Sequence, residues 1–200
     1  MRSDICKIDK DAESLAAIFK ECERVAEYNG LTRRQSLHLR LLCEEIYGML
    51  PHIVDTFVGE LWFDYEDAIC KVNVSLKMPD INSDKKKALI ALSSNGKNAS
   101  AVGIVGKIRN VIENYLLNEA EYTNSFITSS KAFYVSAQMR EFTGYSYTWS
   151  LGEYKTAVNR EDQPDAWDEL EKSVIASVAD DVIVGVKGNQ ADIIIVKKFA

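Results

Sequence analysis

Two hundred residues, 46% hydrophobic and 27% charged, suit one globular domain with a substantial buried core. A formal net charge of −6 argues against bulk attraction to nucleic acid or anionic membrane, and no apolar run approaches the ~20 residues that cross a bilayer. Four scattered cysteines, two histidines and no Cys-x-x-Cys spacing argue against a zinc site and fit small buried thiols in a reducing compartment.

The charged opening, "MRSDICKIDKDAES", lacks the apolar centre of a secretion signal, which places the expected protein in the cytoplasm. Residues 10–28 predict a helix, with Leu15, Ile18, Phe19, Cys22, Val25 and Ala26 on one face and Asn29-Gly30 as its stop. Thr32 and Gln35 have capping-box spacing, so a second helix is expected over 33–50. It should bury Leu37, Leu41, Leu42, Ile46 and Met49 and close at Pro51. Two strands, 59–66 and 69–77, follow from alternation of apolar and polar residues, joined by a turn at Glu66-Asp67.

Residues 82–93 read as a short helix, and Lys85-Lys86-Lys87 as its solvated side. After the small-residue loop "SSNGKNASAVG", another helix is expected through Ile104, Ile108, Ile112 and Leu116. The stretch 119–163 reads as an insertion into a single domain covering 1–200. It holds a possible helix at 129–141, an aromatic cluster (Phe142, Tyr145, Tyr147, Trp149) suited to anchoring on the core, and a helical pattern from Tyr154 to Val158. Pro164 should open a helix reaching Val178, and strands 181–187 and 191–198 should pair across Gly188-Asn189. The fold class is therefore α+β: a two-layer sandwich of a mostly antiparallel sheet with helices 10–28, 33–50 and 164–178 on one face.

Two places could carry chemistry. Glu44 and Glu45 are adjacent on the second helix and point about 100° apart, so at most one faces a given cleft, where it could orient or deprotonate water. The plainer use is exposure with pairing to Arg40. The loop Asn95, Gly96, Lys97, Asn98, Ser100, with Gly103 and Gly106 after it, could cradle an anion through backbone N–H groups at a helix start. It lacks Walker spacing; Asn98 or Ser100 could simply cap the helix, and the glycines could permit close packing. His38 and His52 have no nucleophile arrangement around them.

The order of elements, with "LTRRQSLHLRLLCEEIYGML" at its centre, resembles the GHKL (histidine-kinase-like) ATPase fold, and most of all the small bacterial anti-sigma-factor serine kinases. The resemblance implies that Glu45 takes the catalytic glutamate's place, and that Gly103 and Gly106 correspond to the second glycine box. Met49 stands where the family has a Mg²⁺-holding asparagine, and "KMPDINS" replaces the adenine-reading aspartate-x-glycine-x-glycine box. The expectation is a non-catalytic or weakly nucleotide-binding regulatory protein with a protein partner, such as a sigma factor or other regulator. It would have no metal and no required cofactor, with ATP or ADP as the possible ligand and a homodimer as a possible state. Two alternatives stand beside it: an active ATPase or serine kinase with altered metal ligation, and an unrelated α+β binding module.

Overall fold

The computed structural model describes residues 1–54, 57–78, 104–112, 147–158, 161 and 163–199. In chain order these form β1 (Cys6–Ile8), α1 (Ala12–Tyr28), α2 (Arg33–Ile53), β2 (Val58–Glu66), β3 (Ile69–Lys77) and a helix, α3, described over 104–112. Then come β4 (Tyr147–Ser150), α4 (Leu151–Ala157), α5 (Pro164–Lys172), α6 (Val174–Val178), β5 (Asp181–Lys187) and β6 (Gln190–Lys198). The sheet has six strands in the order β1-β2-β3-β6-β5-β4, and every pairing is antiparallel.

The register decides which side chains meet. Leu61 lies opposite Val74, Phe63 opposite Val72, and Val72 and Val74 opposite Ile195 and Ile193. These residues form one continuous core with Ile18 and Val25 of α1, Leu39, Leu42, Ile46 and Leu50 of α2, Ile108 of α3, Leu151 of α4 and Ile175 of α6. The described helices therefore share one face of the sheet, and the α+β architecture expected from the alternation is present. A smaller apolar group on the opposite face, Ile183, Ile194 and Val196, packs with Ile69.

Local signals explain the first two helices. Gly30 takes φ 64°, the Gly30 N–H donates to the Glu27 carbonyl and the Leu31 N–H to the Ala26 carbonyl, which is the Schellman pattern of a glycine stop. The capping box is complete: the Gln35 N–H donates to Thr32 Oγ1 at 3.3 Å, and the Thr32 N–H donates to Gln35 Oε1 at 2.9 Å. Gly188 takes φ 57° as the first residue of the two-residue β5–β6 turn, where that hairpin geometry calls for glycine.

Four details depart from expectation. Pro51 lies inside α2, which runs on to Ile53; the Leu50 carbonyl, near the helix end, accepts from the Val54 N–H. Leu37 is 57% exposed and lies opposite the buried side of α2, while Leu41 is half-buried. The segment 164–178 is two helices, because Ser173 is extended (φ −82°, ψ 121°) and its hydroxyl accepts from the Ala176 N–H to start α6. Within 119–163, residues 147–150 form an edge strand on β5, placing Trp149 opposite Val184. The expected helices at 82–93 and 129–141, and Phe142 and Tyr145, lie outside the described residues.

Two backbone positions yield opposite predictions. A Cβ on Gly59 would fall well inside van der Waals contact distance of the Ser75 carbonyl oxygen, across a ladder that cannot shift without breaking register. Gly59→Ala should therefore cost about 1–3 kcal/mol in urea denaturation. Asp67 and Ala68 make the β2–β3 turn with φ 50° and 60°, a conformation that disfavours alanine. Ala68→Gly should raise stability by about 1 kcal/mol in the same assay, as an Asp-Gly turn would.

Candidate functional site

α2 places Glu44 and Glu45 differently, as a 100° step requires: Glu44 is exposed and Glu45 half-buried, at the margin of the face that packs on the core. One turn later Met49 is 7% exposed and belongs to the core. Arg40 does not pair with either glutamate. Its guanidinium reaches Glu23 of α1 at 2.9 Å and lies over the Phe19 ring at 4.2 Å, so it clamps α1 to α2. Glu45 has no hydrogen bond or ion pair among the described residues.

Of the glycine-loop residues, Gly106 is described, buried within α3. Asn95, Gly96, Lys97, Asn98, Ser100 and Gly103 lie outside the described residues. The structure does bring α3 beside the end of α2, since Arg109 Nη1 donates to the His52 carbonyl at 3.3 Å. On its other side Lys107 lies 5.4 Å from the Tyr154 ring of α4, which in turn packs against Trp149. Lys155 of α4 donates to the Ala176 carbonyl at 2.6 Å, tying α4 to α6. Thus the glutamate-bearing helix and the helix after the glycine loop are neighbours.

Two cavities can be described, and neither contains Glu45. One, of about 530 Å³, runs between β1 and α1 and mixes Asp9, Asp11, Glu13 and Glu21 with Lys7, Lys20 and Arg24. Its buried polar groups are already engaged: Glu21 accepts from the Asp4 N–H and from Arg24, and Ser14 donates to Asp9 at 2.7 Å. The Asp11 N–H, and then the Ser14 hydroxyl, hold the Asp9 carboxyl below its usual value. Tyr47 of α2 donates to the Asp9 and Asp11 carbonyls at 2.9 Å, which pins this loop to the glutamate helix.

The second cavity, of about 460 Å³, is lined by the β2–β3 hairpin end and residues 1–2. At its wall, Asp64 accepts from Arg2 Nε and Nη2, Trp62 Nε1 and Asn73 Nδ2 at 2.8–3.1 Å. Such a saturated carboxylate fastens the first residues to β2 and leaves little capacity for a ligand. This cluster escapes sequence reading because Arg2 is 62 residues from Asp64. The usable signal was the pairing of Trp62 with Asn73 and Asp64 with Lys71 on the polar side of a predictable hairpin.

The four cysteines also converge from separate elements. Cys22 of α1 and Cys43 of α2 are buried neighbours, with Cys70 of β3 and Cys6 of β1 close enough to influence Cys43. Burial first, and then the neighbouring thiols, push Cys43 far above the usual thiol value; burial likewise pushes Cys70 up to about 12. At neutral pH Cys43 and Cys70 are protonated, unreactive core groups. Among the described residues no group of three or more His, Cys, Asp or Glu is disposed to hold a metal ion, and no helix is long and apolar enough to cross a membrane.

Asp64 supplies a pH prediction. Burial raises its pKa, but Arg2 and Trp62 donate to the carboxylate and leave it lowered overall. A carboxyl lowered in the folded state contributes stability that is present above the unfolded value of about 3.9 and is lost as pH falls through the folded value. Urea midpoints of the native protein should fall as pH drops below about 4, and Asp64→Asn should flatten that part of the profile. An unchanged slope in Asp64→Asn would assign the acid sensitivity to other carboxylates. Comparison with protein-family models, curated proteins and solved structures returns no match.

Proposed function

We propose that this chain is a GHKL-like regulatory protein of the bacterial cytoplasm, which keeps an ATPase scaffold without ordinary ATP turnover. In this reading it acts through contacts with a protein partner, a sigma factor or another regulator. The observation that carries it is Met49, which is 7% exposed in the core one helical turn after Glu45. A thioether cannot supply the oxygen ligand that a hard cation such as Mg²⁺ requires. Metal neutralisation of phosphate charge is a major part of phosphoryl-transfer catalysis, so loss of that ligand removes rate before it removes fold.

The α+β architecture, the half-buried Glu45 and the adjacency of α2 and α3 support the scaffold half of the reading. Support for the regulatory half is chemical: the glutamate has no hydrogen-bonding or charged partner among the described residues to orient it as a base. Fold alone would not license either half.

The test is calorimetric titration of the purified protein with ATP and with ADP, each with and without Mg²⁺, beside a phosphate-release assay. The expected result is no Mg²⁺-dependent turnover above background, and nucleotide heats that do not change when Mg²⁺ is added. Turnover that vanished in Glu45→Gln would instead make this an active ATPase or kinase with altered metal ligation.

A further inference from the structure

α2 has two unlike faces. Leu39, Leu42, Cys43, Ile46, Leu50 and Ile53 are buried, whereas the opposite side runs through Arg33, Leu37, Leu41, Glu44 and Gly48. At 100° per residue the latter five fall within about 40° of one line. Leu37 is 57% exposed at the centre of that line, and nothing lies within 4 Å of where a Cβ on Gly48 would be. Charge is segregated along the helix: Arg33 on that line and Arg34 about 60° to its side stand in the first turn, and Glu44 on the line and half-buried Glu45 about 80° to its side stand three turns on. Among the described residues none of these four is ion-paired, although neighbouring Arg40 is.

The arginines also sit at the wrong end for the helix itself. Cations near a helix N-terminus oppose its dipole, and α2 has no acidic residue in its first turn to compensate. That placement opposes folding slightly, and an acidic surface brought to this end of the helix would relieve it.

We propose that this face joins two copies of the chain, with α2 packed antiparallel on α2 of the second copy about a two-fold axis that crosses the exposed face at the level of residues 38–39. That operation sets Arg33 and Arg34 of each copy against Glu44 and Glu45 of the other, and Leu37 against Leu41. The contact is isologous and self-complementary in both charge and apolar surface. α2 has 21 residues, about 31 Å of helix, so the contact is that of a small interface. The inference does not depend on whether the protein binds nucleotide.

Sedimentation equilibrium from roughly 1 μM to 1 mM tests it, with circular dichroism to check each variant's fold. The expected result is a monomer–dimer equilibrium that weakens with salt. Arg33→Glu with Arg34→Glu, and separately Glu44→Arg with Glu45→Arg, should each weaken self-association at least about tenfold. An equal mixture of the two double variants should recover the dimer, because one chain then presents only acids along the face and the other only bases. Leu37→Asp should also give monomer, which keeps the test alive if one charge variant fails to fold. A wild-type chain that stays monomeric throughout, a dimer indifferent to these changes, or a mixture that fails to recover it would overturn the proposal.

Discussion

A six-stranded antiparallel sheet with one aliphatic face cannot stand in water, and the burial of α2 against that face is what the remaining structure is arranged around. Leu39, Leu42, Ile46 and Leu50 each lose all exposure. At about 1.5–3 kcal/mol per fully buried large aliphatic side chain, these four contribute on the order of 10 kcal/mol before entropy is counted. Other elements are fixed by reference to this helix. α1 is held by Arg40, the β1–α1 loop by Tyr47, α3 by the carbonyl of His52, and α6 packs against it. The glutamate of interest inherits its position from the same packing.

Burial also sets what the helix can do chemically. Residues one turn apart on the margin of a packed face share one environment, so Glu45 and Met49 are decided together. Filling position 49 with an apolar group extends the core beneath the glutamate and leaves a lone carboxylate at its edge. Catalysis of phosphoryl transfer needs convergent positive charge, and here the described cations are committed to structural bonds or face solvent.

Much of this was legible in the sequence where a single local rule governs. Thr32 with Gln35, Asn29-Gly30 and Gly188-Asn189 each announce a cap or turn whose geometry the structure then adopts. The failures have a common cause, since they depend on what the other side of an element touches. Leu37 looked buried because leucines at 37, 41 and 42 satisfy helical spacing, but only the orientation of α2 on the sheet decides which stripe faces inward. Ser173 broke a helix because its hydroxyl caps the next one, a competition that periodicity cannot express. Trp149 does anchor on the core as its aromatic character suggested, but the edge strand that carries it, Tyr147 to Ser150, depends on pairing with β5 and had no local signal. The hairpin half of the Asp64 network was within reach of sequence, but its Arg2 partner and the meeting of the cysteines join residues far apart in the chain, for which a single sequence carries no signal.

The strand order has a consequence for how the protein comes into being. β3 pairs with β6, so residues 69–77 wait for residues 190–198 before their second edge is satisfied. On a ribosome adding about 5–20 residues per second, that wait is on the order of ten seconds. During it the nascent chain presents an aliphatic strand with unpaired N–H and C=O groups, a template for any other extended chain nearby. The polar residues on the outer side of β3 (Lys71, Asn73, Ser75 and Lys77) alternate with the apolar ones and discourage that stacking. Synthesis of this protein should therefore be more chaperone-dependent than its size suggests, and its slow step should be a search by the C-terminal hairpin for a partly built sheet.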